Sequence, residues 1–284
     1  YLAEIERYRA ETRHRVVTSV FFGGGTPSLM DPDIIGEIIR TIKNSWTVDE
    51  NLEITIEANP SSAEIKKFKV YQSLGVNRIS IGVQSLNDEA LLFLGREHSA
   101  AEAINAVENA ATIFERFSFD LIYGLPGQTI KNWQNELKYA LELCEKHISV
   151  YQLTIEPGTL FYRQGIQGAD ETTGNELYDC TQEVLGLAGL PAYEISNHAK
   201  LGFECSHNLI YWRGEDYLGI GPGAHGRLKK EVAGKLLGTE AIQEFRSPDK
   251  WLDAVRSKGG GTTKRNLLQF EERLEELILC GLKT

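Results

Sequence analysis

Glycines and polar side chains follow five successive stretches of apolar residues, and these are the positions best suited to bind a small molecule. The first stretch runs into Gly23-Gly24-Gly25-Thr26, where no Cβ atoms cover the backbone. The other four end in carboxylates, amides and hydroxyls, at Glu57, Asn59, Gln84, Ser85, Asp120, Gln152, Thr154 and Glu156. This mixture fits a zwitterion or a nucleoside. No GxxxxGK[ST] pattern accompanies the glycines, which disfavours a polyphosphate ligand.

Each of these residues also has a structural interpretation. Three glycines alone are typical of a tight turn between a strand and a helix. Glu57 would then accept N–H bonds from the next helix, and Gln84 and Asp120 would be hydrogen-bonded polar groups. Arg96 would form a surface ion pair. The binding hypothesis therefore depends on the joint pattern at successive strand ends.

Alternating strands and helices must bring these positions together. The patterns predict strands at 16–22, 52–57, 77–85, 117–122 and 148–155, separated by helices. Short connections in this order predict right-handed βαβ units and a parallel sheet. Such folds bind ligands where the carboxyl ends of the strands meet the loops.

Residues 161–284 are predicted to form an accessory region after a βα domain at 1–160. Helices are predicted at 175–188, 248–257 and 270–282, and a short strand at 192–195. The segment Arg227–Thr239 does not fit one element. Within this region His198, Cys205, His207 and His225 lie among aromatic residues. Aromatic packing with exposed histidines and a transition-metal site both remain open for this stretch.

Composition limits the classes of function. The 284 residues are 42% hydrophobic, enough for a large core, and carry a net charge of −10. Without a Lys/Arg run, nucleic acid is not expected as a partner. No apolar run reaches the roughly 18 residues of a membrane span, which leaves only peripheral membrane contact open. The chain begins at Tyr1 inside a predicted helix, so we expect an N-terminal segment to be missing.

The cysteines suggest a reducing compartment. The four thiols lie far apart in the sequence and form neither a CxxC metal pattern nor a disulfide framework, at Cys144, Cys180, Cys205 and Cys280. We therefore expect free thiols in a cytoplasmic protein.

Five sequence motifs resemble those of the radical S-adenosylmethionine (SAM) enzymes of the oxygen-independent coproporphyrinogen III oxidase family. They are FGGGTP at 22–27, IEANP at 56–60, GVNRISIGVQS at 75–85, LGR at 94–96 and DLIYGLPGQ at 120–128. The resemblance runs from about Val16 to Gly226. Three further motifs resemble the HemW-like haem-chaperone branch of that family, namely YEISN at 193–197, HNLIYW at 207–212 and DYLGIG at 216–221.

The resemblance implies an α/β fold, an open partial (β/α)6 TIM-like barrel with an α-rich C-terminal region. It implies a [4Fe–4S] cluster and SAM at the carboxyl rim. Gly24, Gly25 and Thr26 would hold the methionine amino end of SAM. Further SAM contacts are implied at Glu57, Gln84, Arg96 and Asp120, with Thr154 near the adenine. His207 would be an axial ligand to haem iron, beside the flat apolar surfaces of Tyr211 and Trp212.

One departure from the family concerns the cluster. The family holds it with three cysteines in CxxxCxxC, because thiolates suit iron–sulfur clusters and three ligands leave one iron open for SAM. This chain has no such motif. We expect the first strand and the cysteine loop to belong to the missing N-terminal segment; loss of the cluster is the alternative.

Three functional hypotheses follow. The first is a haem-binding chaperone on a radical SAM scaffold, which delivers haem to acceptor proteins. The second is an enzyme that decarboxylates coproporphyrinogen III by radical oxidation in porphyrin biosynthesis. The third is a nucleotide-binding α/β enzyme without a cluster. The HNLIYW motif favours the first.

Overall fold

The predicted alternation of strands and helices forms a seven-stranded sheet. The computed structural model describes residues 1–232 and 235–283. The strand order is β1-β2-β3-β4-β5-β7-β6, in which β2 to β5 pair in parallel and the last two strands are antiparallel. The strands are β1 (Val16–Phe22), β2 (Thr47–Ala58), β3 (Arg78–Gln84), β4 (Arg116–Tyr123), β5 (His147–Gln152), β6 (Ala192–Glu194) and β7 (Asn197–Ala199).

Helices connect these strands and cover the sheet. They are α1 (Leu2–Thr12), α2 (Pro32–Ser45), α3 (Ser62–Ile65), α4 (Phe68–Ser73), α5 (Asp88–Phe93), α6 (Ala100–Ile113), α7 (Ile130–Leu143), α8 (Leu160–Arg163) and α9 (Glu171–Leu187), with a 3-10 turn at Pro27–Leu29. Side-chain caps begin several of them; Ser99 and Glu102, for example, form a reciprocal capping box at α6. Short βα connections follow each parallel strand, which confirms the predicted α/β class.

Several predicted boundaries differ from the structure; β2, for example, begins at Thr47 and not at Leu52. The fifth strand ends at Gln152, not at Ile155. The N–H of Leu153 still donates to Tyr123 O at 2.8 Å, and beyond it the chain turns away through Pro157 and Gly158. The predicted helical connection between β2 and β3 consists of two separate short helices, α3 and α4.

The chain divides into two compact units. One comprises residues 21–32 and 54–204, and the other residues 1–20, 33–53 and 205–284. In the first unit the core is the sheet and the helices against it, with Ile54, Ile56, Ile79 and Phe119 fully buried. The first two strands, β1 and β2, each run from one unit into the other. The domain boundary at about residue 160 stays a prediction.

A three-stranded antiparallel sheet in the other unit was not predicted. Its strand order is β10-β9-β8. The elements are α10 (Ser206–Trp212), β8 (His225–Val232), β9 (Lys235–Glu244), α11 (Pro248–Lys258), β10 (Thr262–Leu267) and α12 (Phe270–Gly281). Along the chain, α10 precedes these strands, α11 lies between β9 and β10, and α12 follows β10. The segment Arg227–Thr239 thus falls in β8 and β9, apart from residues 233–234, which lie outside the described residues. The helices α11 and α12 confirm the predicted ones.

Trp133 joins two helices in the core of the first unit. Its indole N–H on α7 donates to the Thr181 hydroxyl on α9 at 2.8 Å, and its ring stacks on Tyr123 at 5.4 Å. The residue is fully buried. We expect Trp133→Phe to lower the free energy of unfolding by about 2–3 kcal/mol, because it leaves a void and removes a buried hydrogen bond. Urea denaturation measures this loss.

Tyr139→Phe is the matched control for that measurement. Tyr139 lies on the same helix but is exposed, so its loss of a hydroxyl should change the free energy by no more than about 0.5 kcal/mol. Equal stabilities of the two variants would show that the Trp133 contact does not hold α7 and α9 together.

Candidate functional site

The carboxyl ends of the parallel strands enclose a polar cavity of about 230 Å³. It lies entirely within one compact unit. This volume is below the roughly 300–1,000 Å³ typical of pockets for drug-sized ligands, so a ligand of that size would extend beyond it. The lining comprises Gly25, Thr26, Pro27, Glu57, Ala58, Asn59, Ser80, Gly82, Gln84, Arg96, Asp120, Ser149 and Tyr151.

Most of the residues expected to contact SAM converge here. Thr26, Glu57, Gln84 and Asp120 come from different strand ends, Arg96 follows α5, and all five line one cavity. The sheet explains this, because parallel strands place their carboxyl ends at the same edge.

The glycine turn contacts the second strand directly. The N–H of Gly24 donates to Glu57 Oε2 at 3.0 Å, so Gly24 supports the carboxylate and is not part of the lining. Gly24 and Gly25 have φ values of +78° and +59°, the left-handed region that glycine adopts without strain. A Cβ added at Gly25 would meet no atom within 4 Å, so its backbone is open to close approach by a ligand.

Asn59 links two of the predicted residues. Its side-chain N–H donates to the Thr26 hydroxyl at 3.3 Å, and its Oδ1 accepts from Arg96 Nη2 at 3.2 Å. The guanidinium of Arg96 is thereby held over the strand ends. Asn59 therefore belongs to the site, although the family resemblance assigns no role to this polar strand-end residue.

Gln84 has strained backbone. Its φ of +65° is the one positive value of a non-glycine residue within residues 1–232 and 235–283. Such a conformation costs on the order of 1–2 kcal/mol. It lies where the register of β3 against β4 shifts, and there the Gln84 N–H donates to Asp120 Oδ1 at 3.2 Å. Strain of this kind is often concentrated at binding sites.

Two carboxyl groups of the cavity titrate above their ordinary range. Burial raises the pKa of Asp120 from 3.8 to about 6, against the opposing effects of the Gln84 N–H and the Arg96 charge. Burial also raises the pKa of Glu57, and the Gly24 N–H opposes this. Two such carboxyl groups beside one guanidinium can bind hydroxyl or ammonium groups of a ligand.

Other predicted residues lie away from this cavity. Thr154 is exposed in the segment after β5, where its hydroxyl donates to Gln152 O at 3.4 Å. Ser85 donates to Glu136 Oε1 at 2.5 Å and supports the α5 connection instead. His207 belongs to the other compact unit.

The alternation of side chains along the strands identifies further residues that line the cavity. Ser80, Gly82 and Gln84 alternate along β3, and Ser149 and Tyr151 alternate along β5, so each set shares a face. Ser80, Ser149 and Tyr151 lie within their strands, before the strand ends, so the strand-end pattern does not predict them.

His207 lies near the start of α10, which the HNLIYW motif forms. Its ring is edge-on to Tyr211 at 4.8 Å, and Tyr211 in turn contacts Tyr217 at 4.3 Å. The backbone N–H of His207 donates to Glu53 Oε1 at 3.4 Å, and the same oxygen accepts from the Cys205 thiol at 3.5 Å. Glu53 is buried, so it fixes the start of α10 from within its own unit.

The residues described do not fit an iron–sulfur cluster. Such clusters require several neighbouring thiolates. Across residues 1–232 and 235–283, no three His, Cys, Asp or Glu side chains are grouped to hold a metal ion. The SAM-type donor set, by contrast, is present: an open glycine backbone, two carboxyls, amides and a guanidinium line one cavity.

Comparisons with known proteins agree with this geometry. Residues 1–140 match the radical SAM superfamily. The chain is 41% identical over 272 residues to the Danio rerio protein named "Radical S-adenosyl methionine domain-containing protein 1, mitochondrial", covering 94% of this chain and 61% of that protein. It is 36% identical over 257 residues to "Heme chaperone HemW" of Buchnera aphidicola subsp. Acyrthosiphon pisum, covering 89% and 68%.

A solved structure shares the fold. Coproporphyrinogen III oxidase (HemN) from Escherichia coli, a radical SAM enzyme, superposes with a TM-score of 0.81 at 21% identity, covering 99% of this chain and 67% of that one. At this identity the likeness shows the fold alone, the predicted partial barrel. The chain spans about 61% of the length of the Danio rerio relative.

The raised pKa of Asp120 predicts a pH dependence of stability. Between about pH 4 and 6 the folded protein keeps a proton that the unfolded chain has released, so stability falls as pH rises through this window. Asp120→Asn removes this component. The loss of unfolding free energy from pH 4 to pH 7 should therefore shrink by roughly 1–3 kcal/mol in the variant.

Urea denaturation at several pH values measures this difference. Asp253→Asn, which removes an exposed carboxylate on α11, is the control and should follow the unsubstituted chain. Parallel pH profiles for Asp120→Asn and the unsubstituted chain would contradict the assignment.

Proposed function

Because the chain belongs to the radical SAM superfamily, in the branch of the HemW-like proteins, we propose that it is a SAM-binding haem chaperone. Its role would be to bind haem and to deliver it to acceptor proteins. Membership of this superfamily implies SAM and a [4Fe–4S] cluster as cofactors. The haem and its acceptor are proposals for this chain, supported by relatives named as haem chaperones.

The cavity at the strand ends is the proposed SAM site. SAM bound beside a reduced iron–sulfur cluster supplies radical chemistry. The open backbone at Gly25 and the Thr26 hydroxyl would bind its amino-acid end. Glu57 and Asp120 would accept hydrogen bonds from ammonium or ribose groups, and Arg96 would bind a carboxylate. The adenine contact of Thr154 stays a prediction.

The observation that carries the haem proposal is the fold of the HNLIYW motif. It forms a single helix, α10, that presents a partly exposed His207 with its ring against Tyr211. Imidazole is a common axial ligand of haem iron. Tyr211 and Trp212, on the same helix, offer apolar ring surface next to it.

Porphyrinogen oxidation is the competing hypothesis. It draws on the shared fold of HemN, which at 21% identity carries no functional argument. A cluster-free nucleotide-binding enzyme loses its support, since the chain belongs to the radical SAM superfamily. We keep oxidation as an outcome of the experiments below.

The partner and the cellular location of the chain are also proposals. Within the described part of the chain, no helix has both the length and the apolar character that a membrane span requires. A haem-accepting protein is the proposed partner, and nucleic acid is not expected. The cytoplasmic location stays a prediction, since several relatives carry mitochondrial names.

Gly25→Ala tests the SAM site. The added methyl would stand where the backbone must approach the ligand, and we expect SAM affinity to fall about tenfold or more, measured by equilibrium dialysis. Gly189→Ala is the matched control. Gly189 also has positive φ (+77°) and no atom within 4 Å of an added Cβ, but it lies at the end of α9 outside the cavity. Equal SAM affinities of both variants would refute the site.

His207→Ala tests the haem proposal. We expect the chain to bind haemin with a shifted Soret band and the variant to lose that shift, because the iron loses its imidazole ligand. His14→Ala, an exposed histidine between α1 and β1, is the control and should bind as the unsubstituted chain does. In a form that includes the predicted cysteine segment, conversion of coproporphyrinogen III to protoporphyrinogen would overturn the chaperone proposal in favour of the enzyme.

A further inference from the structure

A second cavity, distinct from the strand-end cavity, lies between α10, α12 and the start of β8. It measures about 510 Å³, within the range of ligand pockets, and belongs entirely to one compact unit. Its lining comprises Asn208, Tyr211, Trp212, Gly214, Glu215, Tyr217, Arg227, Arg273, Glu276, Leu279 and Cys280. Three aromatic rings and Leu279 supply apolar surface, and the charged members of the lining are two arginines and two glutamates.

The two arginines of the cavity share one carboxylate. One carboxylate, Glu276, accepts from Arg227 Nη2 at 2.7 Å and from Arg273 Nη1 at 3.0 Å. All three side chains are partly buried, so the set has a net positive charge away from bulk water. Burial alone would raise the pKa of Glu276, but the bonds and charges of the two arginines lower it, so the carboxylate stays ionised. The other acidic lining residue, Glu215, is exposed.

Both guanidinium groups keep unused donors. Arg227 uses Nε and Nη2 for Glu276 and donates from Nη1 to Gly226 O at 3.0 Å. Besides its bond to Glu276, Arg273 donates from Nη2 to Gly214 O at 2.5 Å. Because a guanidinium carries five N–H groups, each retains donors for a further acceptor. The indole N–H of Trp212 is also buried without a hydrogen-bond partner among the described residues.

The aromatic side chains of the lining offer uncharged ring faces, of which those of Tyr211 and Tyr217 are inclined at 59° to each other. Burial, with the neighbouring phenol of Tyr217, raises the pKa of Tyr211 to about 12, so the Tyr211 side chain remains neutral at ordinary pH. A planar apolar ligand gains most from such walls. Adjacent guanidinium groups with spare donors recognise carboxylates, often through two parallel bonds.

We propose that this cavity binds a tetrapyrrole, with the macrocycle against Tyr211, Trp212 and Leu279 and its propionate carboxylates on Arg227 and Arg273. This inference rests on the proposed haem function and names the cavity in which the tetrapyrrole would bind. His207 does not line the cavity but contacts Tyr211, which does. Binding of the macrocycle and its propionates is therefore separable from ligation of iron.

Cys280 provides a reporter of occupancy. It lines the cavity and is partly exposed, whereas Cys144, Cys180 and Cys205 are buried. N-ethylmaleimide should therefore modify Cys280 first, as mass spectrometry will show. Metal-free protoporphyrin IX is the probe, because it has both propionates and no iron for His207. We expect it to slow the alkylation of Cys280, and its dimethyl ester to require about tenfold or higher concentration for the same protection.

Arg273→Gln should abolish the preference for the diacid over the ester, and Arg246→Gln should preserve it. Arg246 is an exposed arginine in the turn between β9 and α11, outside the cavity. If Arg273→Gln raises alkylation in the absence of porphyrin, α12 has loosened. Arg227→Gln then serves as the deciding variant, with the same loss of preference expected.

The outcomes separate the inference from the function on which it rests. If haemin binds and depends on His207, but protoporphyrin leaves Cys280 unprotected, the cavity assignment is overturned and the chaperone proposal stands. Protection that is equal for the diacid and the ester also overturns it, since the arginines then play no part. If the chain binds neither haemin nor protoporphyrin, both proposals fail.

Discussion

The parallel pairing of β2, β3, β4 and β5 is the constraint on which the candidate SAM site depends. Parallel strands bring all their carboxyl ends to one edge, so residues distant in sequence become neighbours there. Glu57, Gln84 and Asp120 meet in one cavity for this reason alone. The short βα connections leave that edge open, and the glycine turn after β1 completes the lining without side chains of its own.

Placing polar groups at this edge has a cost, and the structure shows how it is offset. The carboxyl group of Asp120 loses water and titrates near pH 6, while a single N–H from Gln84 and the charge of Arg96 partly restore its ionised form. The same N–H belongs to Gln84, the residue that adopts a left-handed backbone conformation, with φ of +65°. Strain in one residue thus positions a donor for another, as expected for a site that is ordered before its ligand arrives.

In the other unit, two partly buried guanidinium groups share one carboxylate as their counter-ion. Glu276 joins Arg227 from β8 to Arg273 from the same helix, α12, so one carboxylate organises two cations beside an aromatic wall. Arg273 also donates to Gly214 O after α10, where φ is +60° and an added Cβ would displace the end of the Leu277 side chain. These contacts place the HNLIYW helix against α12 and create the larger cavity.

The sequence alone determined the α/β class, the positions of β1 to β5 and several residues that line the strand-end cavity, because apolar runs that end in glycine, carboxylate or amide residues are local signals. It also singled out the HNLIYW motif, but it did not predict that Ser206–Trp212 forms the helix α10. Only the tertiary structure decided that Gly24 supports Glu57, that Gln84 is strained, and that Ser80 and Tyr151 line the cavity. It alone showed the sheet of β8 to β10 and the pairing of Arg227 with Glu276. These features depend on contacts between residues far apart in the chain, and such contacts have no signature in any short stretch of sequence.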